Sequence, residues 1–423
     1  MIQEWSAAKL RSSEEGNVEI QVVSKNNVPE HVPDDLVRDF NHFTFSPEDE
    51  DAHLNWARVV NNDIPLFFTP HFGGYWVIND ARLLEDAFPD WELFSSAHKI
   101  GVPPTPDDVP HLLPIEADDP YHKQLRRPLN LALSPKGVIA LAASAKELVA
   151  QLVDEIVVQG HCEFVHDFSL KMPMDLFLRM VNLPAEDRET LIALANTGLK
   201  AHDEAARLDA MRSMNAYLHQ KVVERLESPG DDLMSAIITM DIDGRKLTIG
   251  EQVGYMTTAL FGGLDTVGGM MAMTARHLAR NPDHRKLLVA HPEKIPDMIE
   301  EVLRRYAIST VSRFVTRDVE FGGVQLKQGD RIMLPTPIHG IDESRWDNAL
   351  EVQLDRKPTD HMAFGKGTHR CPGAILARAE LRIFVEEWLK RIPDFAIDES
   401  RGGEKWETGT VLGLKSLPLH WQA

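Results

Sequence analysis

Phe364-Gly365-Lys366-Gly367-Thr368-His369-Arg370-Cys371-Pro372-Gly373 sets one thiol between a glycine-rich turn and the apolar helix start Ala374-Ile375-Leu376-Ala377. A thiol so placed can ligate a metal as its thiolate, act as a nucleophile, or sit as a buried and inert cap of the helix that follows. Pro372 has no N–H to offer the sulfur, and it also suits the start of a helix. Hydrogen bonds to a ligating sulfur raise its reduction potential, so a missing donor matters if the thiol holds a redox metal. Only one other cysteine is present, Cys162, in the polar segment Gly160-His161-Cys162-Glu163. Two distant cysteines exclude a disulfide framework and fit a reducing cytoplasm.

The 423 residues are 43% apolar, ample for a sizeable core. The start, Met1-Ile2-Gln3-Glu4-Trp5, has neither a basic nor an apolar leader region, and no run of about 18 apolar residues follows. The expectation is a cytoplasmic monomer without a membrane anchor. A net charge of −20 argues against nucleic acid or anionic lipid as a partner and favours solubility. Residues 1–30 are polar and mixed, and read as an N-terminal arm. No Pro/Gly/Ser-rich linker divides residues 31–423, so they read as one domain. Pro65–Thr69 and Tyr75–Ile78 flank a Gly73-Gly74 turn and predict a hairpin. Val319–Leu326, continuing through Gly329-Asp330 to Ile332–Leu334, predicts a second β region. Residues 119–306 between them are helical in pattern. The fold class is mostly α with small β-sheets.

Thr248-Ile249-Gly250-Glu251 has the form of a capping box, and Asn281-Pro282 forms a stop. The helix between them has about thirty residues and spans about 50 Å, enough to cross a domain. Its middle reads Gly262-Gly263-Leu264-Asp265-Thr266. Paired glycines inside a helix cost about 1 kcal/mol each against alanine, and they mark a kink, a close helix contact, or room left open for something else. Glu301-Val302-Leu303-Arg304 puts two opposite charges on one helical face.

In this order the motifs resemble the cytochrome P-450 family. Phe364, Gly367, Cys371 and Gly373 match its ligand loop F-x-x-G-x-x-x-C-x-G. Gly262 to Thr266 match its oxygen groove [AG]-G-x-[DE]-T, and Glu301 with Arg304 match E-x-x-R. The resemblance implies heme b as cofactor, with the Cys371 thiolate as axial ligand of the iron, pushing electron density toward O–O cleavage. It implies that Gly262 and Gly263 open the dioxygen groove. Thr266 and Asp265 become the catalytic pair, because oxygen activation consumes protons that a hydroxyl delivers and a carboxylate replaces. It gives Glu301, Arg304 and Arg356 a structural role in holding the ligand loop. The heme propionates would take His122 and Arg126 of the family's H-x-x-x-R, with Arg313 and His369.

His31–Val37, Gly262–Val267, Phe321–Lys327 and Trp388–Phe395 resemble the soluble, bacterial camphor-hydroxylase subfamily more closely. Its members oxidise small cyclic terpenoids with O2 and take electrons from a 2Fe–2S ferredoxin served by an NADH-dependent reductase. The implied function is hydroxylation of a small apolar cyclic substrate, a monoterpenoid or norisoprenoid. The loop Gly101–Pro114 has no counterpart of the subfamily's ketone-binding tyrosine, with Pro110 or His111 in its place. His111, Thr258, Phe261, Ser309 and Val411, with Thr410, are the expected pocket positions. Lys366, Arg370, Lys123, Arg126 and Arg127 would form a basic patch for an acidic ferredoxin. The alternatives are a heme-thiolate peroxygenase or a heme sensor without monooxygenase turnover.

Overall fold

The computed structural model describes residues 28–60, 64–357 and 360–422, so the expected arm over residues 1–30 lies, up to residue 27, outside the described residues. The longer helices are α1 (Pro135–Val157), α2 (Lys171–Val181), α3 (Arg188–Lys200), α4 (Glu204–Glu227), α5 (Ile249–Arg280), α6 (Ile295–Arg305) and α7 (Ala374–Arg391). Their starts follow from local chemistry. Ser134 accepts from the Gly137 N–H ahead of Pro135, Asp203 accepts from the Ala206 N–H, and Thr248 with Glu251 forms the complete capping box expected for α5. Asn281 ends α5, and Pro282 begins the next helix. At 32 residues α5 is about 48 Å long. It runs unbroken through Gly262-Gly263 and is buried on most of its circumference, which marks a helix central to the core. Helices α2 and α4 pack on it, and α7 packs on α1.

Strands β1 (Leu66–Thr69), β2 (Tyr75–Ile78), β3 (Phe94–Ser95), β4 (Thr310–Val315) and β5 (Arg331–Pro335) form one sheet in the order β1-β2-β5-β4-β3. The expected hairpin is β1–β2, with Leu66 opposite Ile78 and Thr69 opposite Tyr75. The second β region divides. Val319–Phe321 and Val324–Leu326 pair only with each other, because Gly322 and Gly323 both take positive φ and close a tight two-residue turn. Arg331–Pro335 instead joins the large sheet. The stretch 119–306 also holds short strands at His161–Glu163, Asp241–Ile242 and Arg245–Lys246. The last two are joined by Asp243-Gly244, again both at positive φ. One continuous apolar core joins the sheet, α5 and α7.

The Glu301–Arg304 pair is fully buried and fully used. Arg304 Nε and Nη2 donate to the two Glu301 oxygens, each at 2.8 Å. Its Nη1 donates to the carbonyls of Gly340 and, at 2.7 Å, Ala349, and Nη2 also reaches the Glu351 carbonyl at 2.7 Å. Arg356 Nε and the Gln353 N–H add donors to Glu301 at 2.9 and 3.0 Å. Removing one member of a buried ion pair strands the other charge and costs about 3–5 kcal/mol. We therefore expect Glu301→Ala to lose stability on that scale in denaturant titrations of the heme-loaded protein. Arg356→Ala, which leaves Glu301 and Arg304 matched, should lose clearly less.

Candidate active site

A deep cavity lies between the middle of α5 and the loop before α7. Thr258, Gly262, Gly263 and Thr266 form its roof, and Phe364, Cys371, Gly373 and Leu376 its floor. The roof residues recur at i, i+4 and i+8, one stripe of a helix. A methyl group built on Gly262 or Gly263 would meet nothing within 4 Å, so this pair neither kinks nor closely packs the helix. It leaves space.

The floor loop is shaped by glycine. Gly365 and Gly367 have φ of +64° and +72°, and a Cβ on Gly367 would lie 2.6 Å from Pro89 Cα. The Cys371 N–H closes the loop on the Phe364 carbonyl at 2.9 Å. The Arg378 guanidinium lies 4.6 Å from the Phe364 ring centre and is held by Glu300 at 2.5 and 2.8 Å. Glu300 also pairs with His361 at 3.0 Å, so α6 fixes both ends of the loop. Burial pushes the Cys371 thiol up from its ordinary range, while a hydrogen bond from the Gly373 N–H and the charges of Arg126, Arg378 and Arg370 work against it. A bound cation would complete that opposition. Cys162 is buried in the strand His161–Glu163 and does not line the cavity.

Basic groups gather at one side, and of these His122 has Asp119 3.3 Å from its Nδ1. Arg126, Arg313 and His369 line the cavity, and the rings of His122 and His369 lie 4.1 Å apart. His122 Nε2, His369 Nε2 and Arg126 Nε are buried without a hydrogen-bond partner. Burial, with Arg313, His122 and Arg126 adding to it, drives His369 down to about 2, and burial lowers Arg313 to about 10 against only a distant Asp118. Two guanidiniums packed beside two neutral imidazoles, with idle nitrogens among them, are unfavourable in isolation. They suit a ligand that carries two carboxylates. With the open glycine pair above and the thiol below, these residues fit a heme whose propionates face the four bases.

Asp265 stands apart from the cavity. Its carboxylate is buried, and the Lys200 ammonium at the end of α3 lies 2.7 Å from Oδ1 and 2.9 Å from Glu407. Burial opposes the Lys200 charge, but Asp265 and Glu407 outweigh it and hold the ammonium above its usual range. Thr266 does face the cavity, its hydroxyl donating to the Gly262 carbonyl at 2.8 Å.

Thr258 and Ser309 line the cavity, whereas four expected pocket residues, Phe261, Thr410, Val411 and His111, do not. Phe261 packs toward Gly198 of α3, one position round the helix from the roof stripe. Val411 is buried in a β-bridge with Ser309. His111 lies in an outer depression, with Nδ1 3.3 Å from Glu116, and its carbonyl is pressed against Gly254 of α5. Lys200, Glu407 and Glu380 are site residues that the sequence reading missed. Helical phase carried a signal for two of them. Positions 261 and 265 share a stripe about 100° from 262 and 266, so Asp265 had to seek its partner away from the roof. Glu380 is an acid on the inward face of α7, among Leu376, Ala377 and Leu381.

The family and its relatives agree with this arrangement. The sequence model described as "Cytochrome P450" matches residues 295–420. A curated relative, "Probable cytochrome P450 127A1" of Sinorhizobium fredii, is 34% identical over 94% of this chain and 98% of its own. "Steroid C26-monooxygenase" of Mycolicibacterium smegmatis is 32% identical over 79% of this chain and 84% of its own. Among solved structures, CYP101J2 is 36% identical with a TM-score of 0.84, covering 93% of this chain and 99% of that one. CYP101C1 is 33% identical with a TM-score of 0.85, covering 94% and 100%. The chain belongs to the cytochrome P450 family. It is a cytochrome P450 monooxygenase of the kind represented by these bacterial and camphor-type relatives, and its cofactor is heme with a cysteine thiolate ligand. Among the described residues no helix is long and apolar enough to cross a membrane.

Glu380 lines the cavity with no ionic partner among the described residues, and burial alone pushes its carboxyl up to about 8. The folded form then keeps its proton while the unfolded form releases one above the ordinary glutamate range near 4.5. The unfolded state binds fewer protons across that interval, so this residue's contribution to stability falls as pH rises from about 4.5 through 8. Glu380→Gln should flatten that decline, measured by denaturant midpoints of the heme-loaded protein at pH 5, 6.5 and 8. An unchanged slope would show that Glu380 is ionised in the folded protein.

Proposed function

We propose that this monooxygenase hydroxylates a compact, mostly apolar cyclic substrate, a monoterpenoid or norisoprenoid carrying at most one weak acceptor. The observation that carries the reading is the chemistry of the cavity wall. Leu176, Phe177, Met180, Val267 and Ile308 supply an apolar surface. Of the hydroxyls facing in, Thr258 donates to Gly254, Thr266 to Gly262 and Thr336 to the Ser309 carbonyl. The Ser309 hydroxyl makes no such internal bond and is free to donate to a ketone or ether oxygen. A site with one uncommitted donor and greasy walls selects mainly by shape, with one polar anchor. The likeness to CYP101J2 and CYP101C1 supports the same reading.

Heme, when bound, supplies dioxygen activation and oxygen-atom transfer. The chain's own groups do the rest. Cys371 provides the axial thiolate. His122, Arg126, Arg313 and His369 hold the propionates. Thr266 presents a proton at Oγ1 toward the space opened by Gly262 and Gly263. Asp265 replaces that proton and, to do so, turns from Lys200 toward the cavity. Electrons come from a 2Fe–2S ferredoxin with an NADH-dependent reductase. Lys123, Arg127, Lys366 and Arg370 are exposed and offer cations to an acidic partner on a chain of net charge −20. Arg126, proposed first for that patch, lines the cavity and donates to the Arg370 carbonyl at 2.8 Å, so it serves the heme instead.

Spectral titration tests the substrate class. Small bicyclic ketones and ethers should shift the spin state more than long-chain fatty acids or steroids, and a panel led by fatty acids would sink the reading. In the same panel, Ser309→Ala should weaken ketone binding about fivefold, the worth of one hydrogen bond of about 1 kcal/mol, and leave the matching hydrocarbon unchanged. For the proton role, Thr266→Ala should keep NADH consumption while diverting most of the electrons to hydrogen peroxide. Unchanged product per NADH in that variant would remove Thr266 from the pathway.

A further inference from the structure

The β4–β5 ladder has two chemically different faces. Arg331 lies directly opposite Phe314 in the register, so their side chains share a face. Arg313, the neighbour of Phe314, points the other way and lines the heme cavity. On the Arg331 face, the segment from His98 to His111 arches over the sheet and leaves an open depression of about 310 Å³. Lys99, His98 and His111 form its loop side, Phe314 and Arg331 its sheet side.

The charges there do not balance. The Arg331 guanidinium lies 4.9 Å from the Phe314 ring centre, which holds its plane in place. Its Nε is buried without a hydrogen-bond partner, and no ion pair with a described carboxylate is formed. Other buried arginines divide: Arg276 has Asp51 and Glu404, Arg285 has Asp394 and Arg304 has Glu301, whereas Arg207 and Arg305 donate to backbone carbonyls instead. Lys99 is mostly buried and donates to the Pro106 carbonyl, leaving further N–H groups. The one carboxylate on the rim, Asp107, is 4.0 Å from Lys99 and projects fully into solvent. Glu116, beside His111, is already taken by the N–H groups of Ile100 and Leu112 at 3.0 and 2.8 Å. In a chain with 65 acidic and 45 basic residues, a concave site with two such cations and no inward carboxylate is not a product of composition. The signature matches the propionate side of the heme cavity: half-buried cations, idle donors and no anion.

We propose that this depression is a second ligand site, taking a small oxyanion, carboxylate or phosphate, on the Arg331 fork with Lys99 as the second cation. The planar fork favours a flat carboxylate bidentately, and Phe314 offers an apolar face to an organic acid's body. The site also bears on the heme cavity. The segment that carries Lys99 and His111 continues into Pro114 and Ile115, which line that cavity. An anion bridging Arg331 of the sheet and Lys99 of the segment ties the two together, so anion and substrate strengthen each other's binding by the same factor.

Isothermal titration of the heme-loaded protein at constant ionic strength, balanced with chloride, tests this with phosphate and with benzoate as separate probes. Saturable binding of one equivalent is expected, weakened about tenfold or more in Arg331→Gln and in Lys99→Gln, since a charge-assisted hydrogen bond is worth about 1.5–3 kcal/mol. Heme content and the reduced carbon monoxide spectrum of both variants should match the parent, which separates loss of the site from loss of the fold. Arg331→Lys keeps the charge without the fork, and should retain phosphate better than benzoate. Saturation with phosphate alone assigns the site to an inorganic anion, and saturation with benzoate alone assigns it to an organic acid. Heats that never saturate with either probe, or affinities equal in the parent and Arg331→Gln, overturn the proposal.

Discussion

The buried ion pair of Glu301 and Arg304 is the constraint on which both sides of the active site depend. Arg304 gathers the carbonyls of residues 340, 349 and 351. The approach of Gly340 is so close that a Cβ would collide with the Arg304 carbonyl. One residue before the pair, Glu300 binds Arg378 and His361 and so brackets the cysteine loop. A few residues after it, the chain enters β4 and sets Ser309 and Arg313 on the cavity wall. Helix α6 therefore fixes the distance between the floor loop and the polar edge of the cavity. A buried salt bridge is weak evidence for stability. Here its value is geometric, because one guanidinium ties Glu301 to the carbonyls of residues 340, 349 and 351.

The electrostatics follow a consistent division. Where the structure only has to hold together, cations are matched by carboxylates, as with Arg304 and Glu301 or Arg276 and its two acids. Around the heme cavity, Arg126, Arg313 and His369 form no ion pair with a described carboxylate, and one nitrogen each of Arg126, His122 and His369 is left idle. Their desolvation is repaid only when an anionic group enters. Lys200 is the opposite case. One ammonium is shared by two carboxylates, so Asp265 can leave it without stranding a buried charge, because Glu407 remains. A proton-delivering carboxylate needs that freedom, and a lone buried pair would not grant it.

Much of this was legible in the sequence, and what was legible was local. Capping boxes, the i,i+3 pair, the glycine turns and the cysteine loop are each set by residues within a few positions of one another, and each appears where the sequence puts it. The positive-φ turns at Asp243-Gly244 and Gly322-Gly323 were equally local but were passed over, which is why short strands were absorbed into helix and why one β region was drawn as continuous. Side-chain direction was harder. Phe261 and Thr258 both look like pocket residues in a linear reading, and only the 100° step of the helix separates them. Partners that meet across distant positions, such as Lys200 with Asp265 or, at shorter range, Arg331 with Phe314, left no local trace. Neither did the turning of His111 away from the cavity, which depends on a backbone contact with Gly254.

The same step of helical phase explains how one helix serves two incompatible needs. A groove beside heme must be empty, and the core around α5 must be full. The stripe of residues 258, 262 and 266 gives small side chains and open space. The neighbouring stripe of 261 and 265 gives a large ring against Gly198 and a charge against Lys200. Gly198 of α3 lies beside the Phe261 ring, and two residues further on Lys200 reaches Asp265. The helix pays about 1 kcal/mol for each glycine in its middle, and the anchoring contacts of the second stripe lie within one turn of them. Substituting the cavity stripe therefore alters what binds, while substituting the adjacent one alters how the helix is held. The acid and the hydroxyl proposed to deliver protons straddle the two, with Thr266 on the first and Asp265 on the second.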